Sequence, residues 1–292
     1  MNVTSAFAQP RDPEADRAAV RRTVVWVGSR AGAELGWARE CVSALADVWD
    51  LDDPRGSSGT RSPSDSAPSP AVAILASDLP GRWTLADAVR LSRRWPLTPL
   101  VSVATSLVDG RRRSGPPLPG VEEVPWSDVA GRLAWWLADL DAGRRGTLGL
   151  PAAARREDRL LEAAACLATR RAAGAVAQAA VAASRSVDLD GIADLVAAAG
   201  CTVGRRICGR PPLDEAADVL VWDVDALAPH DVAWLRMLTA NRPALRVVVV
   251  DSFPRCDAAR AAVEAGAVAV LSRPLSLEAL AGTLLAAVRR PR

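Results

Sequence analysis

The chain has 292 residues, half of them apolar, which is enough for two ordinary domains that each bury a core. All 36 basic residues are arginine, lysine and tyrosine are absent, and a net charge of +2 is too small to attract nucleic acid at long range. Arginine clusters at 111–113, 144–145, 155–156 and 289–290 are scattered, and read as solvated surface rather than a nucleic-acid patch. The five cysteines include no CxxC pair and are joined by a single histidine, His230, which argues against a zinc site. No apolar run has the length of a signal peptide or a membrane span, so the expected setting is cytoplasmic, with reduced thiols.

Residues 1–21 are polar and without period, and read as a flexible tail. A buried strand follows, "TVVWVGS" (23–29), and then helical spacing over "AELGWARECVSALADVW" (33–49). The stretch 54–70 is rich in Ser, Pro and Gly and predicts a loop. Beyond it come strand "AVAILASDLPG" with its turn (71–81), helix "TLADAVRLSRRW", strand "LVSVATS" (100–106), a second loop over 107–120, "VEEVPW", and helix "SDVAGRLAWWLADL". These elements make a first α/β domain over 22–143. Residues 144–173 read as a connector with one helix, "PAAARREDRLLEAAACLATRRA", whose narrow stripe is Leu160, Ala164, Leu167 and Arg171. That helix is expected to pack between domains, with dimerisation as the alternative.

The second half, 174–292, repeats the rhythm. Strands fall on "AVAQAAVAAS", "CTVGRRI", "DVLVWDVDAL", "RVVVVDS" and "AVAVLS", and helices on "DLDGIADLVAAAG", "HDVAWLRMLTAN", "CDAARAAVEAG" and "SLEALAGTLLAAVRR". Strands alternating with helices predict doubly wound parallel sheets, with a site at the carboxyl ends of the strands.

The run "EAGAVAVLSRPLSLEAL" (264–280), preceded at the right spacing by "VLVWD" and "VVVVDS", resembles the receiver domain of bacterial two-component response regulators. The resemblance covers about 115 residues and implies a flavodoxin-like five-stranded fold. With the shared rhythm of the first half, it implies two such sheets joined by a helical connector. It also implies that Asp223 stands at the phosphoacceptor position, where the plain alternative is an acid solvated at a strand end. The acidic pair that would hold magnesium falls on Ala183 and Ser184, so Mg²⁺ is not expected. The hydroxyl position falls on Asp251, the aromatic switch on Val270, and the lysine on Arg273, followed by Pro274. Arg273 is expected to pair with Asp223 or Asp251 and hold the cleft in one state, against the alternative of independent solvated side chains.

In the first half the same positions fall on Gly28 and Ser29 for the acidic pair, Ala76 for the acceptor, Thr105 for the hydroxyl and Val124 for the lysine, with Pro125 kept. No phosphotransfer constellation survives there. Asp78 is more simply a turn residue. The loops at 54–70 and 107–120 stand where the family has its second and fourth helices, which favours an interface over the bared sheet.

Eight of the ten tryptophans lie in the first half. Trp135 and Trp136 are adjacent on a helix, so one should meet the core and the other a surface or partner. His230 marks a helix start, beside Asp231. "GSRAGAELG" lacks the ending of a phosphate loop.

Two readings follow. One is a non-enzymatic signalling or scaffold protein of tandem pseudo-receivers, without cofactor or metal, acting on a protein partner or on itself. The other is a phosphorelay response regulator phosphorylated on Asp223 and lacking an output domain.

Overall fold

A computed structural model describes residues 21–51, 69–109, 118–150, 154–171 and 177–288. In the first half, β1 (Thr23–Val27), α1 (Ala33–Leu45), β2 (Asp47–Leu51), β3 (Val72–Ser77), α2 (Leu85–Arg94), β4 (Leu100–Ala104), α3 (Ser106–Asp109), β5 (Val121–Pro125) and α4 (Val129–Asp141) follow in order. A 3-10 turn at Gly146–Gly149 and helix α5 (Arg156–Arg171) lead to the second half. There the order is β6 (Gln178–Ala183), α6 (Ser186–Ala198), β7 (Thr202–Cys208), β8 (Val219–Asp225), α7 (Pro229–Asn241), β9 (Arg246–Asp251), α8 (Cys256–Glu264), β10 (Ala267–Ser272) and α9 (Leu277–Val288).

Each half carries one five-stranded, wholly parallel sheet, ordered β2-β1-β3-β4-β5 and β7-β6-β8-β9-β10. The two orders are the same when counted from the first strand of each half, so the fold is flavodoxin-like twice over. Central strands are nearly continuous apolar runs, such as β3 (Val72–Ser77) and β9 (Arg246–Asp251), because helices cover both faces and leave no solvated side. Helix α2 starts at Thr84, whose hydroxyl and amide both meet the Asp87 carboxylate in a capping box.

Three expectations are corrected. The helical spacing over 33–49 breaks at Ala46, and Asp47–Leu51 pairs with β1 as an edge strand, half-exposed as edge strands are. On α5 the buried side is Ala163, Cys166 and Leu167, whereas Leu160 and Ala164 face solvent. Trp135 and Trp136 are both buried, at 1% exposure each. Most of the expected loops over 54–70 and 107–120 lies outside the described residues, although 107–109 belong to α3. In the second half no helix forms between β7 and β8.

The fate of Trp136 follows from how the halves meet. Helices α4 and α9 pack against each other, so each is buried nearly all round between its own sheet and its counterpart. Their crossing is close: a Cβ on Gly131 would stand 2.3 Å from the Ala279 carbonyl oxygen, and one on Gly282 would stand 2.0 Å from that of Gly131. Around the crossing, Arg132 is paired with both Glu122 and Glu278, Arg159 of α5 reaches Glu122 at 2.9 Å, and Thr147 donates to Glu278. Burial, and then the nearby Arg159, pull Arg132 down to about 9, which leaves it charged at neutral pH. Asp128, just before α4, accepts from the Ser272 amide (2.8 Å) and hydroxyl (3.1 Å) at the end of β10. Trp37 of α1 meets Trp126 edge-on at 6.4 Å, and Arg260 of α8 lies over the Trp37 ring at 5.3 Å.

Candidate functional site

In the second half, β8 carries Asp223 to the carboxyl end of the sheet, in register with Ala183 of β6. The Asp223 side chain is fully buried, and its Oδ1 accepts from the Asp225 amide at 3.3 Å. The other oxygen is taken by the guanidinium of Arg273, which follows β10 through a cis peptide to Pro274. The same nitrogen of Arg273 lies 3.7 Å from Asp188 in the first turn of α6, and Arg185 donates to that carboxylate at 2.6 Å. One guanidinium therefore stands between two carboxylates. Burial pushes the Asp223 carboxyl above its ordinary value, and Arg273 pulls it back only in part. The hydrogen bond from Arg185 holds Asp188 below its ordinary value.

Asp251 does not join this cluster. Its carboxylate accepts from the amides of Phe253 (3.0 Å) and Leu227 (3.3 Å), so it caps the backbone of its own loop and of the one after β8. Ser252 turns instead to Asp225, which it reaches at 2.7 Å. Val270 is buried within β10, beside Val249. Ala183 is buried and Ser184 is exposed, and neither offers an anionic oxygen. Magnesium does not fit this donor set: Asp223 is already neutralised by an arginine, Asp251 is taken by backbone amides, and the pair that would complete the shell is missing. Among the described residues, no three His, Cys, Asp or Glu side chains gather to hold a metal.

The first-half equivalent is filled rather than open. The indole of Trp83 lies against Gly28, where an added Cβ would stand 2.7 Å from the ring, and its Nε1 donates to the Ala76 carbonyl at 2.9 Å. Gly28 also has φ 98°, a conformation that a side chain would strain. Ser29 accepts from the Ala31 amide, Thr105 donates to the Asp78 carbonyl at 3.1 Å, and Val124 is buried in β5. None of these groups faces a shared reaction point. Sequence reasoning missed both Trp83 and Asp188. The available signals were an aromatic just beyond the "SDLPG" turn and an acid in the first turn after β6.

Between the halves, loops at the carboxyl ends of β1, β3 and β4 face the start of α8 across a hollow of about 710 Å³. No helix among the described residues is long and apolar enough to cross a membrane.

No family model matches the sequence, and no curated protein matches it. Among solved structures the chain is similar to a pilus assembly-related protein of Burkholderia pseudomallei, with 26% identity over 39% of this chain and 92% of that one and a TM-score of 0.35. It is similar to a pilus assembly protein (CpaE) of Burkholderia thailandensis, with 27% identity over 38% and 96% and a TM-score of 0.33. A third similarity is to the linker and phosphoreceiver domain at the C-terminus of E. coli RcsC, with 13% identity over 90% and 91% and a TM-score of 0.30. Strand order and parallel pairing decide the fold. Both halves are flavodoxin-like. At the carboxyl ends of the strands, the second half carries the Arg273–Asp223 ion pair and the first half carries the Trp83 indole on the Ala76 carbonyl.

Proposed function

We propose that the chain is a non-catalytic signalling or scaffold protein, a tandem of pseudo-receivers that acts through protein contacts independently of phosphorylation. The observation that supports this reading is the Arg273 guanidinium on the Asp223 carboxylate. A phosphoryl group on Asp223 would have to displace that partner, and it would arrive without the metal that offsets its charge. The filled pocket at Gly28 and Ala76 favours the same reading for the first half.

Titration with beryllium fluoride and magnesium tests it, read by the fluorescence of Trp222, the buried neighbour of Asp223. No saturable change is expected. A saturable change that disappears in Asp223→Ala would overturn the proposal in favour of a phosphorelay response regulator.

A further inference from the structure

The hollow between the halves lies where strands β1, β3 and β4 end, the crevice at which doubly wound sheets commonly bind ligands. With Trp83 filling the deeper pocket, what remains is an open groove walled partly by the second half. Three large apolar side chains line it and face water: Leu79 is 56% exposed, Leu107 70% and Phe253 57%. A cluster of this kind on a folded protein marks a surface that another chain covers. The walls are fixed in place, since Glu34 of α1 accepts from both the amide (2.8 Å) and the hydroxyl (2.5 Å) of Ser106, beside Leu107.

The groove also carries a charge sign. Glu34, Asp78 and Asp257 line it against a single guanidinium, Arg255, which is already 3.3 Å from Asp257. The Asp78 side chain is 35% exposed, and its ion-pair contact with Arg82 Nε is distant at 3.9 Å.

The geometry points to a docking groove for a protein segment that inserts large apolar side chains and presents an arginine or lysine to its acidic lining. The inference rests on the contact-protein reading and names the surface that makes the contact. Electrostatic complementarity selects the basic segment, and the apolar walls supply the area.

A random dodecapeptide library displayed on phage and selected on the intact chain tests this. Enriched sequences are expected to combine large apolar residues with Arg or Lys. A synthetic peptide of the enriched sequence should bind at least tenfold more weakly to Leu107→Ser and to Phe253→Ser, both exposed positions whose substitution spares the core. Its binding to Asp78→Asn should weaken several-fold and lose part of its salt dependence. Acidic consensus sequences, or no enrichment at all, overturn the groove. So does a chain that self-associates through Leu107 and Phe253, because the occupant would then be a second copy. Peptides whose binding survives both serine substitutions sink the groove but leave the contact-protein reading standing. A magnesium-dependent beryllium fluoride response lost in Asp223→Ala sinks that reading and leaves the groove.

Discussion

Asp223 experiences two opposed effects: removal from water raises the free energy of its charged form, and the guanidinium of Arg273 lowers it. Burial wins, so the folded-state value lies above that of the unfolded chain. The stability tied to this group is then fully present below the unfolded value, about 4, and is lost as pH rises through the folded value. Asp223→Asn cannot ionise, so its stability relative to the natural chain should climb as pH rises from about 3.5 and level off beyond the folded value. Urea unfolding across pH 3.5–7 measures this, and a pH-independent difference would contradict it. Arg273→Ala should cost about 3 kcal/mol at pH 7, the lower end for a broken buried pair because this guanidinium is 21% exposed, and less in acid. The Asp223–Arg273 register was legible in the sequence, since strand ends can be counted. Whether Asp251 would face the cleft was not, because a carboxylate beside a loop can instead satisfy backbone amides, and here it takes those of Phe253 and Leu227. Trp83 and Asp188 escaped notice because a turn's path, not a hydrophobic period, brings them into place.

Helix α9 could be read as a deeply buried element from its apolar composition, but nothing in its spacing named α4 as its cover. The deciding feature is the absence of a side chain at two positions. Gly131→Ala or Gly282→Ala should lower stability by about 2 kcal/mol, since each new methyl meets backbone atoms that have nowhere to move. This loss outweighs the gain of up to about 1 kcal/mol that alanine brings to a helix interior. Gly191→Ala on α6 is the matched control, for an added Cβ there meets nothing within 4 Å, and it should raise the melting temperature. Thermal unfolding followed by circular dichroism distinguishes the two outcomes. Helix α5 and strand β2 show where periodicity is a weak guide. An alanine-rich helix has little contrast between its faces, and its rotation is fixed here by Arg159 on Glu122. Asp47–Leu51 continues the helical spacing of α1 and shows no strand alternation in its burial, yet it pairs with β1 as an edge strand.

At the scale of the whole molecule, the two halves share one charged core. Arg132, Glu122, Glu278 and Arg159 tie β5, α4, α5 and α9 together, with little exposure at Arg132 and Glu278. We expect a single unfolding transition, with tryptophan fluorescence, which reports mainly the first half, coincident with the circular dichroism of both. Glu278→Ala leaves Arg132 poorly compensated and should cost about 3–5 kcal/mol, moving both signals together in urea. Separate transitions would mean that the halves fold independently. The repeat itself was readable from the alternation of strands and helices. Its docking was not, because Arg132 and Glu278 look like ordinary surface charges until the opposing helix is known.

The hollow between the halves has a consequence for stoichiometry. A tandem repeat ordinarily offers two equivalent sites and can bridge two partners. Here the first half contributes its strand-end loops and the second contributes the loop before α8, so the combined surface occurs once per chain. An occupant of the proposed groove would therefore bind one to one, making each chain a cap rather than a cross-linker.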